Sequence, residues 1–396
     1  MNLSDEQRAI RDVVREFAVE EIRPTAQECD EDQTFPEDVW DGLADLDLIS
    51  LTVPEEYGGL DVDRLTYSLV NEEVAYGMLS VATALSVHSL ATSCIAEFGD
   101  EDQKERWLPD MAEGRPVGAF ALSEPQAGSN PAEMTTEARR VERADGGEGD
   151  EYLINGKKQW VTNGERAGVV ILFAKTDRDD PRSVTQFVVP KDAGGLEVGK
   201  KEDKLGLRAS DTTSLVFDDV RIPAENRLTE EGKGLSAAFH ILTGGRIGIA
   251  SQSVGLAQSA LDEAVEYAQD REQFDQPIAE IQTIRHKLAD MQTQLQAARL
   301  LTRDAAWKDV RRRDAGRTGG GSDDRGENVE MAASMAKYFA SEAAVDITNE
   351  AVQIHGGYGY TTDFDVERLY RDSKITTIYE GTSEIQKKVI ARNFLP

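Results

Sequence analysis

The sequence predicts an α+β fold, mostly α: an N-terminal helical domain, a middle β-barrel domain and a C-terminal four-helix bundle. Three observations predict it. Apolar residues recur at gaps of three and four up to about residue 117. Short apolar runs bounded by turn residues replace them as far as about residue 228. The helical period then returns and lasts to the end. The expected divisions are 1–117, 118–228 and 229–396, and a chain of 396 residues exceeds one ordinary domain.

Each element has its own signal. Ser4, followed by Asp5 and Glu6, caps a helix striped by Ile10, Val13, Val14, Phe17 and Ile22, which Pro24 is expected to stop. Pro36 with Glu37 starts another, 53–59 reads as a loop, and 66–78, 80–98 and 100–112 are further helices. Strands are expected at 117–122, 168–174, 184–189 and 213–217, with 144–150 as an exposed hairpin or loop. After Gly232 and Gly234, one helical stripe runs through Ile281, Ile284, Leu288, Met291, Leu295 and Ala298. A second runs through Ala336, Phe339, Ala343, Ile347, Ala351 and Ile354, the pattern of a bundle. The Gly-rich, charged stretch 317–324 between them reads as a mobile surface loop.

Composition narrows the partners. With 74 acidic against 44 basic side chains, the formal net charge is −30. Such a surface repels nucleic acid and anionic membranes. No apolar run is expected to span a membrane, and the charged N-terminus lacks a signal region, so a cytoplasmic protein is expected. Cys29 and Cys94 argue for no disulfide. The four histidines form no metal-ligand spacing, and neither a phosphate loop nor a dinucleotide fingerprint is present.

The most telling stretch is Tyr379-Glu380-Gly381-Thr382-Ser383-Glu384, a connector between two helical patterns. Gly381 permits close approach of a ligand, and Thr382 or Ser383 can cap the next helix with Glu384 in its first turn. Glu380 alone would read as a solvated carboxylate. The words IYEGTSEIQ, however, closely resemble the catalytic segment of the acyl-CoA dehydrogenases, and the order and sizes of the three regions match that family over essentially the whole chain.

The resemblance implies bound FAD, held by four segments. The first, 120–129, would use Phe120, Leu122, Ser123, Gly128 and Ser129, with Ser129 also near the acyl-CoA; Gln126 departs from the family's usual Gly. The second carries Trp160, Val161 and Thr162, a flat apolar wall beside a hydroxyl. The third offers Arg271, whose fork suits a pyrophosphate, with Phe274 and Gln282. The fourth is Gln353-Ile354-His355-Gly356-Gly357, and Thr382 and Glu384 join the cofactor set. Taken singly, these read as a strand turn, a core tryptophan, a salt-bridged arginine and a helix end. The family completes its FAD site with a neighbouring subunit, so a homotetramer is expected.

The implied reaction takes two hydrogens from an acyl-CoA thioester to give a trans-2-enoyl-CoA, a step of fatty-acid β-oxidation, with electrons passing to an electron-transfer flavoprotein. Glu380 would be the α-proton base; a free Glu, at ~4.3, is too weak for this without burial. Some relatives carry the base just before an Arg on a bundle helix, and here that place is Gly245, so Glu380 alone matches. Arg246 and Gly381 would contact the CoA-bound substrate, while Thr243 stands where short-chain relatives have Asp. An oxidase using oxygen, or a non-catalytic scaffold of the same fold, are the alternatives. Short-, medium- or branched-short-chain substrates are favoured. The dispersed acid also predicts a halophilic origin, in which salt screens self-repulsion. Far-UV circular dichroism should show unfolding when salt is removed; equal stability with and without salt would count against that origin.

Overall fold

The computed structural model describes residues 3–143, 150–317 and 328–395. The expected loops at 144–150 and 317–324 lie almost wholly outside them. Helix α1 (Asp5–Phe17) opens with a full capping box between Ser4 and Gln7. Pro24 does not end the helical run, as the sequence suggested. The chain passes through π and 3₁₀ turns at Ala18–Ile22 and Arg23–Thr25 into α2 (Ala26–Asp32). Pro24 sits in the first turn of the 3₁₀ segment, where its missing N–H costs nothing.

Helices α3 (Glu37–Asp45), α4 (Arg64–Gly77), α5 (Leu79–Phe98) and α6 (Glu101–Ala112) complete the first region. Contrary to the sequence expectation, α5 does reach the length and hydropathy of a membrane span, but 83% of that window is buried inside the fold. It is a core helix. His88 on α5 accepts a hydrogen bond from Gly118 N–H at 2.9 Å and donates to the Met111 carbonyl at 3.1 Å. Complete burial pulls its pKa down to about 4, so the ring stays neutral as a joint between α5, α6 and the first strand.

Seven strands form one curled sheet: β1 (Val117–Ala121), β2 (Glu137–Glu142), β3 (Asp150–Thr162), β4 (Ala167–Lys175), β5 (Val184–Pro190), β6 (Leu196–Lys201) and β7 (Thr212–Pro223). β1 runs parallel to β4, whose other edge carries β5 antiparallel. β3 pairs with β2 on one side and β7 on the other, and β6 closes the far edge on β7. A register shift in β3 between Lys158 and Val161 surrounds Trp160, which has φ 61°. The bulge turns that ring out of the sheet.

The last region contains α7 (Gly234–Asp270), a two-residue hairpin β8 (Glu272–Gln273) with β9 (Gln276–Pro277), α8 (Gln282–Arg317), α9 (Val329–His355), α10 (Val366–Thr376) and α11 (Ser383–Phe394). Helix α7 is buried along most of its length and lies against α4, α8 and α9. Its glycines decide how closely. A Cβ at Gly255 would lie 1.9 Å from the Glu72 carbonyl oxygen on α4, so the two backbones touch. Gly255→Ala should therefore force α4 and α7 apart and cost roughly 3 kcal/mol or more. A fall of several degrees in Tm by calorimetry checks this; an unchanged Tm would contradict the backbone contact.

Candidate active site around Glu380

After α10 the chain turns sharply at Thr377–Thr382 and enters α11. Thr382 caps α11, its hydroxyl accepting from Ile385 N–H at 3.4 Å. Ser383 N–H closes the turn onto the Thr377 carbonyl at 3.0 Å. Inside it, Glu380 (φ 53°) and Gly381 (φ 91°) are both left-handed. For a residue with a Cβ that conformation costs about 1–2 kcal/mol, so something must hold it. Gln386 on α11 donates to the carbonyls of Glu380 and Gly381 at 3.2 and 2.9 Å. Lys337 on α9 donates to the Gly381 carbonyl at 2.8 Å, and Ser383 donates to Glu342 on the same helix at 2.5 Å.

The turn drives the Glu380 carboxyl against α7. A Cβ on Gly245 would lie 2.6 Å from Glu380 Oε2, so glycine is what admits the side chain. Oε2 is buried and takes no hydrogen bond among the described residues. Burial pushes the carboxyl up to about 7, against the opposing pull of Lys337 and then Arg246. Arg246 is itself buried; its Nη1 forms a loose ion pair with Glu330 at 3.9 Å, and neither Nε nor Nη1 makes a hydrogen bond among the described residues. A carboxyl that is half ionised near neutrality, with one oxygen free, can take a proton from a ligand. Tyr379, beside it, donates to Gln252 at 3.2 Å, and Gln252 is tied to Asn71 and the Ala82 carbonyl.

On the β side, Phe120 packs on Phe173 with ring centroids 4.8 Å apart. The turn after β1 is pinned by buried Glu124, which accepts from Thr135, Thr136 and buried Lys158. Gln126 fits this turn by donating to Glu124 at 2.7 Å. Gln159 N–H donates to the Ser123 carbonyl at 2.9 Å, which brings 120–129 beside Trp160 and Thr162. Trp160 is 60% exposed, and Gly128 and Ser129 also face outward. Val161 points the other way, into the sheet core, so only its backbone is available to a ligand.

At the far end of the bundle, Arg271, Phe274, Ile354, Gly356 and Gly357 share one cavity of about 640 Å³ with Tyr358. Arg271 pairs with neither Asp270 nor Glu272 among the described residues and lies 5.9 Å from the Tyr358 ring. Gly356 holds φ 61°, ψ −131°, a conformation that suits glycine, and open space surrounds it and Gly357. Gln282 and Gln353 stand exposed nearby, Gln282 facing His286, and Glu384 is exposed on α11. The expected residues thus form three groups, around Glu380, Trp160 and Arg271. Glu380 and Trp160 line neither this cavity nor the small one, about 20 Å³, that Arg64, Leu90, Gly244 and Gly245 border.

Taken separately, the exposed indole suits a flat ring, while the open glycines and Arg271 suit phosphate groups. Sequence reasoning missed Lys337, Glu124, Lys158 and Gln386, because a lone polar or charged side chain carries no local sign of burial. Comparison with known proteins bears on the whole chain. Family models described as acyl-CoA dehydrogenase N-terminal, middle and C-terminal domains match residues 4–115, 119–220 and 232–395. The short-chain specific mitochondrial acyl-CoA dehydrogenase of Rattus norvegicus is 42% identical, covering 100% of this chain and 91% of its own length. The solved butyryl-CoA dehydrogenase of Megasphaera elsdenii superposes with a TM-score of 0.92 at 40% identity, with 100% of both chains covered. A chain in the structure of the electron transferring flavoprotein of Acidaminococcus fermentans reaches 0.91 at 38%, covering 100% of this chain and 99% of that one. An acyl-CoA dehydrogenase from Bacillus anthracis, solved with FAD, reaches 0.89 at 33%, covering 100% of this chain and 67% of that one.

The raised carboxyl makes a signed prediction. A group whose folded pKa (about 7) exceeds its free value (4.5) contributes most to stability below pH 4.5 and loses that contribution as pH rises through 7. Glu380→Gln should therefore raise Tm at pH 8, by an amount equivalent to about 3 kcal/mol at most, with the gap closing towards pH 4.5. Thermal melts across that range test it.

Proposed function

Because the chain belongs to the acyl-CoA dehydrogenase family, we propose that it performs the FAD-dependent α,β-dehydrogenation of an acyl-CoA thioester, with Glu380 taking the α-proton. The carrying observation is the buried Glu380 carboxyl, lodged against Gly245 with Oε2 unpartnered. FAD, when bound, supplies the acceptor for the hydride leaving the β-carbon, and its electrons go on to an electron-transfer flavoprotein. Trp160 and Thr162 would flank its ring, and Arg271, Gly356 and Gly357 its pyrophosphate and adenosine end.

The chain's own groups do the rest. An acyl chain lying over Glu380 expels the remaining water, which strengthens every charge interaction around the carboxyl. The Glu380 N–H has no hydrogen-bond partner among the described residues, so it is free to donate to the thioester oxygen as enolate charge develops there. The same residue then presents base and oxyanion donor from one strained turn. Arg246 steadies the carboxylate electrostatically before transfer and the CoA-bound substrate after it. Gln252 and Tyr379, locked together beside the base, favour a short or compact acyl group.

The reading extends to a homotetramer in a salt-rich cytoplasm, supported by the exposed Phe274 and Phe394 and by the net charge of −30. The decisive experiment is Glu380→Gln with a panel of acyl-CoAs of increasing length. The variant should bind FAD and stay yellow, while reduction by the best substrate falls by roughly 10³-fold or more, the scale of losing a general base and its positioning. Full activity would refute the assignment, and peroxide formation without an added acceptor would favour an oxidase.

A further inference from the structure

Lys337 is fully buried on α9, deep in the contact with α7, although an ammonium so placed loses its water. Among the described residues its ammonium donates one hydrogen bond, to the Gly381 carbonyl at 2.8 Å, immediately after the base. A lysine that served only as a clamp could be replaced by any neutral donor. Its surroundings argue for more, because Oε2 of the carboxyl it faces takes no hydrogen bond among the described residues to hold it charged.

The groups around the pair come from every neighbouring element. Glu380 is faced by Lys337 from α9 and Arg246 from α7. Lys337 is faced by Glu380, by Glu342 on its own helix, by Arg246 and by Glu384 from α11. Arg246 is balanced in turn by Glu330 on α9 and opposed by Arg392 on α11. Lys337 is thus the cation that bears most strongly on the carboxyl.

We propose that Lys337 is a positioning residue for catalysis: it clamps the left-handed Glu380–Gly381 turn and supplies the positive charge that keeps the base ionised in its dry site. This rests on Glu380 being the base. Burial draws Lys337 down to about 8, against the pull of Glu380, so it is still largely charged at neutral pH while the carboxyl titrates near 7. Without that charge, the carboxyl should hold its proton to higher pH, and the base form should be scarce where the enzyme now works.

The test compares Lys337→Met, which loses donor and charge, with Lys337→Gln, which loses the charge alone. In FAD-loaded enzyme, both should move the acid limb of the kcat/KM profile upward by about one pH unit, and Met should also lower the plateau. An acid limb left at the wild-type position in both overturns the proposal, whatever the plateau does. Should these variants fold poorly, thermal melts at pH 8 decide without turnover. Lys337→Met should lower Tm less in the Glu380→Gln background than in the wild type, since the stranded carboxylate is gone; an equal Tm loss in both backgrounds overturns it. Failure of the base assignment is separate: it would show as an active Glu380→Gln.

Discussion

The constraint on which the structure turns is a carboxyl held out of water with no hydrogen bond to one of its oxygens. Most buried polar groups are satisfied, and leaving one bare costs free energy. Glu380 is kept there by a left-handed turn, by Gly245 opposite, and by the electrostatic pull of Lys337 and Arg246. Strain, an orphan acceptor and a near-neutral pKa coincide at one residue. That is the signature of a group arranged to react and not to stabilise.

The bundle serves that arrangement. Helix α7 offers glycine where the carboxyl lands and where α4 crosses, so two close approaches come from one helix. Helix α9 supplies Lys337 and Glu342 to the connector, and α11 returns Gln386 to it. Three helices therefore fix six residues of irregular chain. The β sheet contributes differently. Buried Glu124 and Lys158 tie the turn after β1 to β3, and burial of the carboxylate is more than offset by Lys158 and the threonines, which hold it well below the usual range.

Much of this was legible because it is local. The capping residues, the helical stripes and the IYEGTSEIQ connector each announce themselves within a few positions. Strands β2, β3 and β6 escaped notice because charged and half-exposed residues break up their apolar pattern, as in EARRVE, DEYLINGKKQWVT and LEVGKK, so none shows an apolar run. Pro24 misled because proline forbids the middle of a helix but suits its first turn. α5 looked too polar for a span because Ser, Thr and His interrupt it, though its mean is apolar. Lys337 could not be foreseen at all. One lysine among alanines looks like a solvated face until the neighbouring helices close over it.

Trp160 has a consequence beyond the reaction. An indole left mostly uncovered forgoes about 2 kcal/mol of hydrophobic stabilisation, and the bulge that presents it adds backbone strain. A flat ligand laid on that ring finishes the core of the domain instead of merely visiting its surface. On the proposed function FAD would cover that face, and as a ligand of the folded state alone it would raise the stability of the protein that holds it.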